Sequence, residues 1–144
     1  MTFEEQVAAF IKKAKENPER VARAVSIKLF SAVILGTPVD TGRLRMNWQA
    51  SGATPALGQV SGSDKSGSGA IRSATQFVSS YPEWEQFTFS NNLLYAATVE
   101  FGGYNGGGPK TTPDGYSTQA PAGMVRVNVS RFQSLINQAL RENT

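Results

Sequence analysis

The sequence predicts an α+β fold: long N-terminal helices and a C-terminal helix packed on a small, mainly antiparallel sheet. Three observations carry this. Apolar residues recur at helical spacing near both ends, as in Val21, Val25, Leu29, Ala32 and Val33. The middle holds short alternating runs, such as Phe87 and Phe89 within Gln86–Ser90. Two stretches, about 51–70 and 102–118, have the Gly/Ser-rich composition of flexible loops. A chain of 144 residues suits one domain, 1–144, whose core holds without staples.

The elements follow in order. Thr2 and Glu5 have capping-box spacing, and Phe3, Val7, Phe10, Ile11 and Ala14 continue at helical spacing. Asn17-Pro18 interrupts and starts a second helix, Pro18 to Leu35, since Pro suits a first helical position. Gly36 closes it and Pro38 prevents resumption. Thr37 to Leu44 reads as a tight polar corner, and Arg43 to Ala50 as a short turn leading into a strand around Trp48. After the first Gly/Ser-rich loop, Ile71 to Ser80 fits a short helix, and Gln86–Ser90 a strand. Leu94 to Phe101 fits a short helix or a strand, its start favouring a helical turn. Val125, Val129, Phe132, Leu135, Ile136, Ala139 and Leu140 make a final helical stripe. The alternation of Val125, Val127 and Val129 equally fits a strand over Met124–Val129 ahead of a helix from Ser130.

Composition narrows the chemistry. Without Cys there are no disulfides, thiolate metal sites or cysteine nucleophiles. Without His the usual general base and every Ser-His pair are missing. A net charge of +3, its excess lying in residues 1–50, is not the footprint of a dedicated DNA binder. The first residues lack the form of a signal peptide, and no apolar run approaches the roughly 20 residues that span a bilayer.

The candidate motifs read mostly as structure. The Gly-rich run before Lys110-Thr111 invites a phosphate loop, but Pro109 stands where that loop needs a glycine amide. A carboxylate-only enzyme is the remaining catalytic option. Glu83 and Glu85 flank Trp84 in a way that suggests a sugar-binding edge, and a solvated turn explains them better. Asp64 and Asp114 fall in the flexible loops. Asp40 is read as a cap on the turn at Thr41-Gly42, and Glu100 as the partner of Arg43. Asn128-Val129-Ser130 matches a glycosylation acceptor by chance. Tyr104 and Tyr116 lie in the second Gly-rich loop, where no core is expected to bury them, so they read as contact residues. With Lys110 and Trp84 they are the residues expected at a subunit or partner interface.

Thr37-Pro38-Val39-Asp40-Thr41-Gly42-Arg43-Leu44-Arg45, followed by Asn47-Trp48, resembles the head-to-tail joining or tail-completion proteins of long-tailed bacteriophages. Asn91-Asn92-Leu93-Leu94-Tyr95-Ala96 through Val99-Glu100-Phe101-Gly102 is similar to that family's central motif, with Leu94 where Pro is frequent. Gln119-Ala120-Pro121-Ala122-Gly123-Met124-Val125-Arg126 is similar to the segment before its last helix. The motif residues expected to matter structurally are Asp40, Thr41, Gly42, Arg43, Asn92, Tyr95, Glu100, Gly102, Pro121 and Gly123. The resemblance implies a small α+β virion subunit of the neck, with no enzymatic activity and no cofactor or metal. It would form a homo-oligomeric ring, six-fold by the same resemblance, capping the tail tube and docking it to the head connector or stopper. Genomic DNA would pass through the lumen without sequence readout. The expected location is the virion neck, with the host cytoplasm during assembly and no membrane. A small lytic enzyme and a nucleic-acid-binding module are the alternatives.

Overall fold

The computed structural model describes Thr2, Glu5, Ala9, Lys12 and residues 16–106 and 108–142. The capping box is present: Thr2 N–H donates to Glu5 Oε2 at 2.7 Å, and Glu5 N–H to Thr2 Oγ1 at 3.2 Å. The apolar stripe expected over Phe3, Val7, Phe10, Ile11 and Ala14 lies outside the described residues.

The described elements are α1 (Pro18–Leu35), α2 (Arg43–Met46), β1 (Trp48–Ser51), α3 (Ser68–Ser80), β2 (Thr88–Asn91), α4 (Ala96–Phe101), α5 (Val125–Ser130) and α6 (Phe132–Glu142). Helices therefore pack on a two-stranded antiparallel sheet, as expected. The register pairs Trp48 with Asn91 and Ala50 with Phe89. A two-stranded pair is marginal by itself, so its inward face matters. There the Phe89 ring stacks on Phe30 (centroids 4.1 Å apart) and on Trp48 (4.8 Å), both nearly parallel to it. Such stacked pairs add roughly 0.5–1.5 kcal/mol each beyond burial.

α1 begins at Pro18 as the sequence predicts, although no Asn17 side-chain bond caps it. Val33 and Ile34 enter the main core with Leu44, Trp48, Ala70, Leu93, Val99, Ala120 and Met124. Phe30 packs with Ala74 and Val78 of α3, and Val21 and Val25 pack with Ile136 of α6. α1 thus runs along three apolar surfaces, two of which meet its last turns. No described helix is long and apolar enough to cross a membrane.

Gly36 closes α1 as the sequence predicts, in a right-handed conformation (φ −80°). Arg45 reinforces that end: Nη2 donates to Leu35 O, the last carbonyl of α1, and Nε to Thr37 O just beyond it, both at 2.9 Å. Two local expectations are corrected. α3 starts at Ser68, inside the stretch read as loop, because Asp64 caps it. Gly67 N–H donates to Asp64 Oδ1 at 3.1 Å, and Ala70 N–H to Oδ2 at 3.0 Å. These bonds, Ala70's foremost, hold the Asp64 carboxyl below its usual range against the opposing effect of desolvation. Finally, Met124–Val129 is no strand. α5 forms there because Asn128, not Val129, turns inward: its amide donates to Met124 O at 2.6 Å while Val129 is exposed.

Candidate functional site

The three stretches that carry the resemblance meet at one place beyond the C-terminal end of α1. Val39 and Gln119, 80 positions apart, pair at two points. Val39 N–H donates to Gln119 Oε1 at 2.7 Å, and Gln119 Nε2 donates to Val39 O at 2.9 Å. Asn91 Nδ2 donates to Leu44 O at 2.9 Å, tying the central motif to the first. The Glu100 carboxylate ties it to the third. Oε1 accepts the N–H groups of Met124 (2.6 Å) and Val125 (2.8 Å), and Oε2 accepts that of Arg126 (3.0 Å). The first amides of a helix have no partner within it. Glu100 satisfies those of α5 from another element, where the helix dipole also favours a negative charge.

This geometry corrects the expected Arg43–Glu100 pair. Arg43 is exposed and donates from Nη2 to Gln59 Oε1 at 2.7 Å. The cation on Glu100 is Arg126, whose Nε lies 3.0 Å from Oε2. Arg126 also donates from Nη2 to Glu100 O at 2.5 Å and to Tyr116 Oη at 3.2 Å, and it lies over the Phe101 ring. The Tyr116 contact first, and the Glu100 contact next, raise the guanidinium's pKa. For Glu100, burial pushes the pKa up, but the amides of Val125, Arg126 and Met124 and the Arg126 side chain outweigh it, and the net shift is downward. Its residue exposure is 7%.

The other motif residues hold backbone to backbone. Trp48 Nε1 donates to Thr37 Oγ1 at 2.8 Å, which in turn donates to Val33 O at 2.7 Å. Asn47, fully buried, donates to Arg43 O and Val60 O and accepts Val60 N–H at 2.8 Å. Asn92 Nδ2 donates to Ala56 O and Gly58 O. Asp40 is exposed and caps nothing among the described residues; Thr41 Oγ1 accepts Arg43 N–H instead, at 3.2 Å. Pro121 leads a turn closed by Gly123 N–H donating to Ala120 O at 3.1 Å. Gly102 N–H donates to Thr98 O at 2.8 Å and ends α4. Gly42 and Gly123 tolerate no side chain. Gly42 (φ +90°) would place a Cβ 2.6 Å from Lys65 N, and Gly123 (φ +86°) one 2.7 Å from Glu100 O.

Around this junction opens a cleft of about 630 Å³, walled by Pro38–Leu44 on one side and by Tyr95, Val99, Tyr104, Lys110 and Gln119 on the other. It brings Asp40, Thr41, Gly42, Arg43, Tyr95, Tyr104 and Lys110 together. The expected interface residues do not all share it. Tyr116 is half-buried, its ring against Gly102 and its hydroxyl on Arg126. Trp84 sits at the other end of α1, in a hollow with Pro18, Glu19 and Arg23.

The Gly-rich arm carries internal bonds that its composition does not announce. Thr111 and Ser117 form an antiparallel bridge, Thr112 N–H donates to Tyr116 O at 2.7 Å, and Gly103 and Tyr104 N–H both donate to Gly115 O at 3.0 Å. Sequence reasoning also missed Arg45, Asp64, Gln119 and Arg126. A signal existed for one of them. Asp64 precedes a Ser-Gly-Ser run directly upstream of a helical pattern, which is a helix-start composition. Comparisons with family models, with curated proteins and with solved structures return no match.

Proposed function

We propose that this chain is a structural virion protein of the head–tail junction of a long-tailed bacteriophage. It is a ring-forming tail-terminator or tail-completion subunit that caps the tail tube and joins it to the head connector. The observation that carries this reading is the convergence of its three motif stretches. They are far apart in sequence, yet Gln119 binds Val39, Asn91 binds Leu44, and Glu100 binds the amides of Met124, Val125 and Arg126. Residues of all three stretches therefore form one connected framework.

The chemistry of that framework agrees with a protein that acts by assembly. Among the described residues, the two carboxylates whose pKa values are lowered, Glu100 and Asp64, are both engaged by backbone amides. Each acts as a helix cap, which leaves it little freedom for acid–base work. Charge is scattered, which weighs against a groove that stacks and pairs nucleic acid. In this reading the ring is a homo-oligomer, six-fold by resemblance. Its partners are the connector or stopper above and the tube protein below, and DNA crosses its lumen without being read.

The test is genetic. Particles made without this chain should accumulate as full heads and unjoined or overlong tails, and supplying the chain in trans should restore joined particles. Joined, infectious particles in its absence would end the proposal.

A further inference from the structure

A ring built head to tail needs two unlike surfaces on each subunit, because a heterologous interface joins different patches. The molecule has two, at opposite ends of the α1/α3 pair. These helices run antiparallel: Gly67 lies against Ile34 and Leu35 at the end of α1, whereas Arg23 near its start donates to Val78 O. The 18 residues of α1 separate the two ends by about 27 Å.

At the far end is the 630 Å³ cleft, with exposed Arg43 and Lys110 against one carboxylate, Asp40. Beside its Tyr95 wall stands Leu94, 94% exposed, and Asn92 ties the neighbouring loop on which Leu57 is 91% exposed. Both leucines offer apolar area to a neighbour. At the near end is a hollow of about 500 Å³ where Glu16, Glu19, Arg20 and Arg23 surround Pro18 and Trp84, Arg23 being paired with Glu19. The turn that carries Trp84 also carries Glu83 and Glu85, both exposed. Among the described residues no hydrogen bond or ion pair engages the side chains of Lys110, Glu83 or Glu85. One end therefore carries exposed leucines beside an unengaged lysine, and the other carries Trp84 in a hollow of mixed charge flanked by two unengaged glutamates.

We infer that the cleft end of one copy docks on the Trp84 end of the next. Leu94 seats against Trp84 in the hollow, and Lys110 and Arg43 face Glu83 and Glu85. The occupant is a second copy of this chain because both halves of the match, in shape and in sign, belong to the same molecule. Like ends repel, which disfavours two-fold pairing and selects the head-to-tail arrangement that closes into a ring. This inference rests on the ring reading proposed above and names the surfaces that reading leaves open.

The test is a charge swap read by sedimentation of the full chain. All three positions are exposed, so each variant should melt near the wild type. Lys110→Glu should lower the association constant at least about tenfold, and Glu83→Lys with Glu85→Lys should do the same. The three changes in one chain should recover most of the loss. Leu94→Ser should weaken association without recovery by any charge change. A triple variant no better than its parents, or a response to changes at one end alone, overturns the inference, the second because it indicates pairing of like ends. Wild-type oligomers indifferent to every variant overturn it too, while the ring reading stands. A wild-type chain still monomeric at about 1 mM overturns both.

Discussion

Glu100→Gln is the sharpest perturbation of the motif junction, because it keeps the shape of the side chain and removes only its charge and one acceptor. The carboxylate takes Met124 and Val125 N–H on Oε1, and Arg126 N–H and Nε on Oε2. Whichever way the glutamine amide turns, its NH₂ faces two donors. One or two of the first amides of α5 then lose their acceptor in a site 7% exposed. Leaving a buried donor unsatisfied costs about 1–3 kcal/mol, and a neutral acceptor on the remaining bonds about another 1. The sum is about 2–4 kcal/mol. With an unfolding entropy near 2.1 cal/mol/K per residue, the chain loses about 3 °C of midpoint for each kcal/mol, so a fall of roughly 7–13 °C is expected at pH 7. The pH dependence sets this apart from a packing defect. The Glu100 pKa is lower folded than unfolded. Its contribution is therefore complete above the ordinary glutamate value of about 4.3 and is lost as pH falls through the folded value. Thermal unfolding of both proteins from pH 7 to pH 3 should show the gap widest at neutral pH and narrowing below about 4.3. An unchanged midpoint, or a gap constant down to pH 3, would refute the reasoning.

Other outcomes follow from the same geometry. Gly123→Ala combines a left-handed φ with a Cβ 2.7 Å from Glu100 O and should lower stability by about 2–4 kcal/mol in urea unfolding. Asn47→Ala strands Val60 N–H and two carbonyls and should cost about 2–3 kcal/mol, with no change in urea slope. Arg43→Ala removes one exposed bond to Gln59 and should shift the midpoint less than Arg126→Ala, which takes a cation from Glu100; the reverse order would restore the pairing that the sequence suggests. Asp64→Asn should fray the start of α3, seen as faster amide exchange at Gly67 and Ala70. Because the Asp64 pKa is lowered, that difference should fade as pH drops through its folded value.

Legibility in the sequence tracked the range of the forces involved. The start of α1 was readable because Pro18 fixes its own φ, and β1 was readable because Trp48 follows a short turn. α3 was underestimated because its cap is Asp64, four residues upstream of Ser68 within a run that reads as linker. Arg43 was assigned to Glu100 by sequence logic that could name both charges but not the path between them. The chain brings Arg126 to that carboxylate instead, because the amides of α5 must dock there first. The cleft was invisible in principle. Its walls come from segments up to 80 positions apart, held by an uncharged Gln119–Val39 pair that has no sequence signature.

The account's central claim is that this chain is a neck-ring subunit, and electron cryomicroscopy of particles assembled with it tests that most directly. The account predicts a closed ring between the head connector and the first tail-tube layer. Each subunit in it should fit the α1/α3 pair, with the 630 Å³ cleft of one turned toward Trp84 of its neighbour. A neck whose density accommodates no copy of this fold, or particles in which the chain is absent, would contradict it.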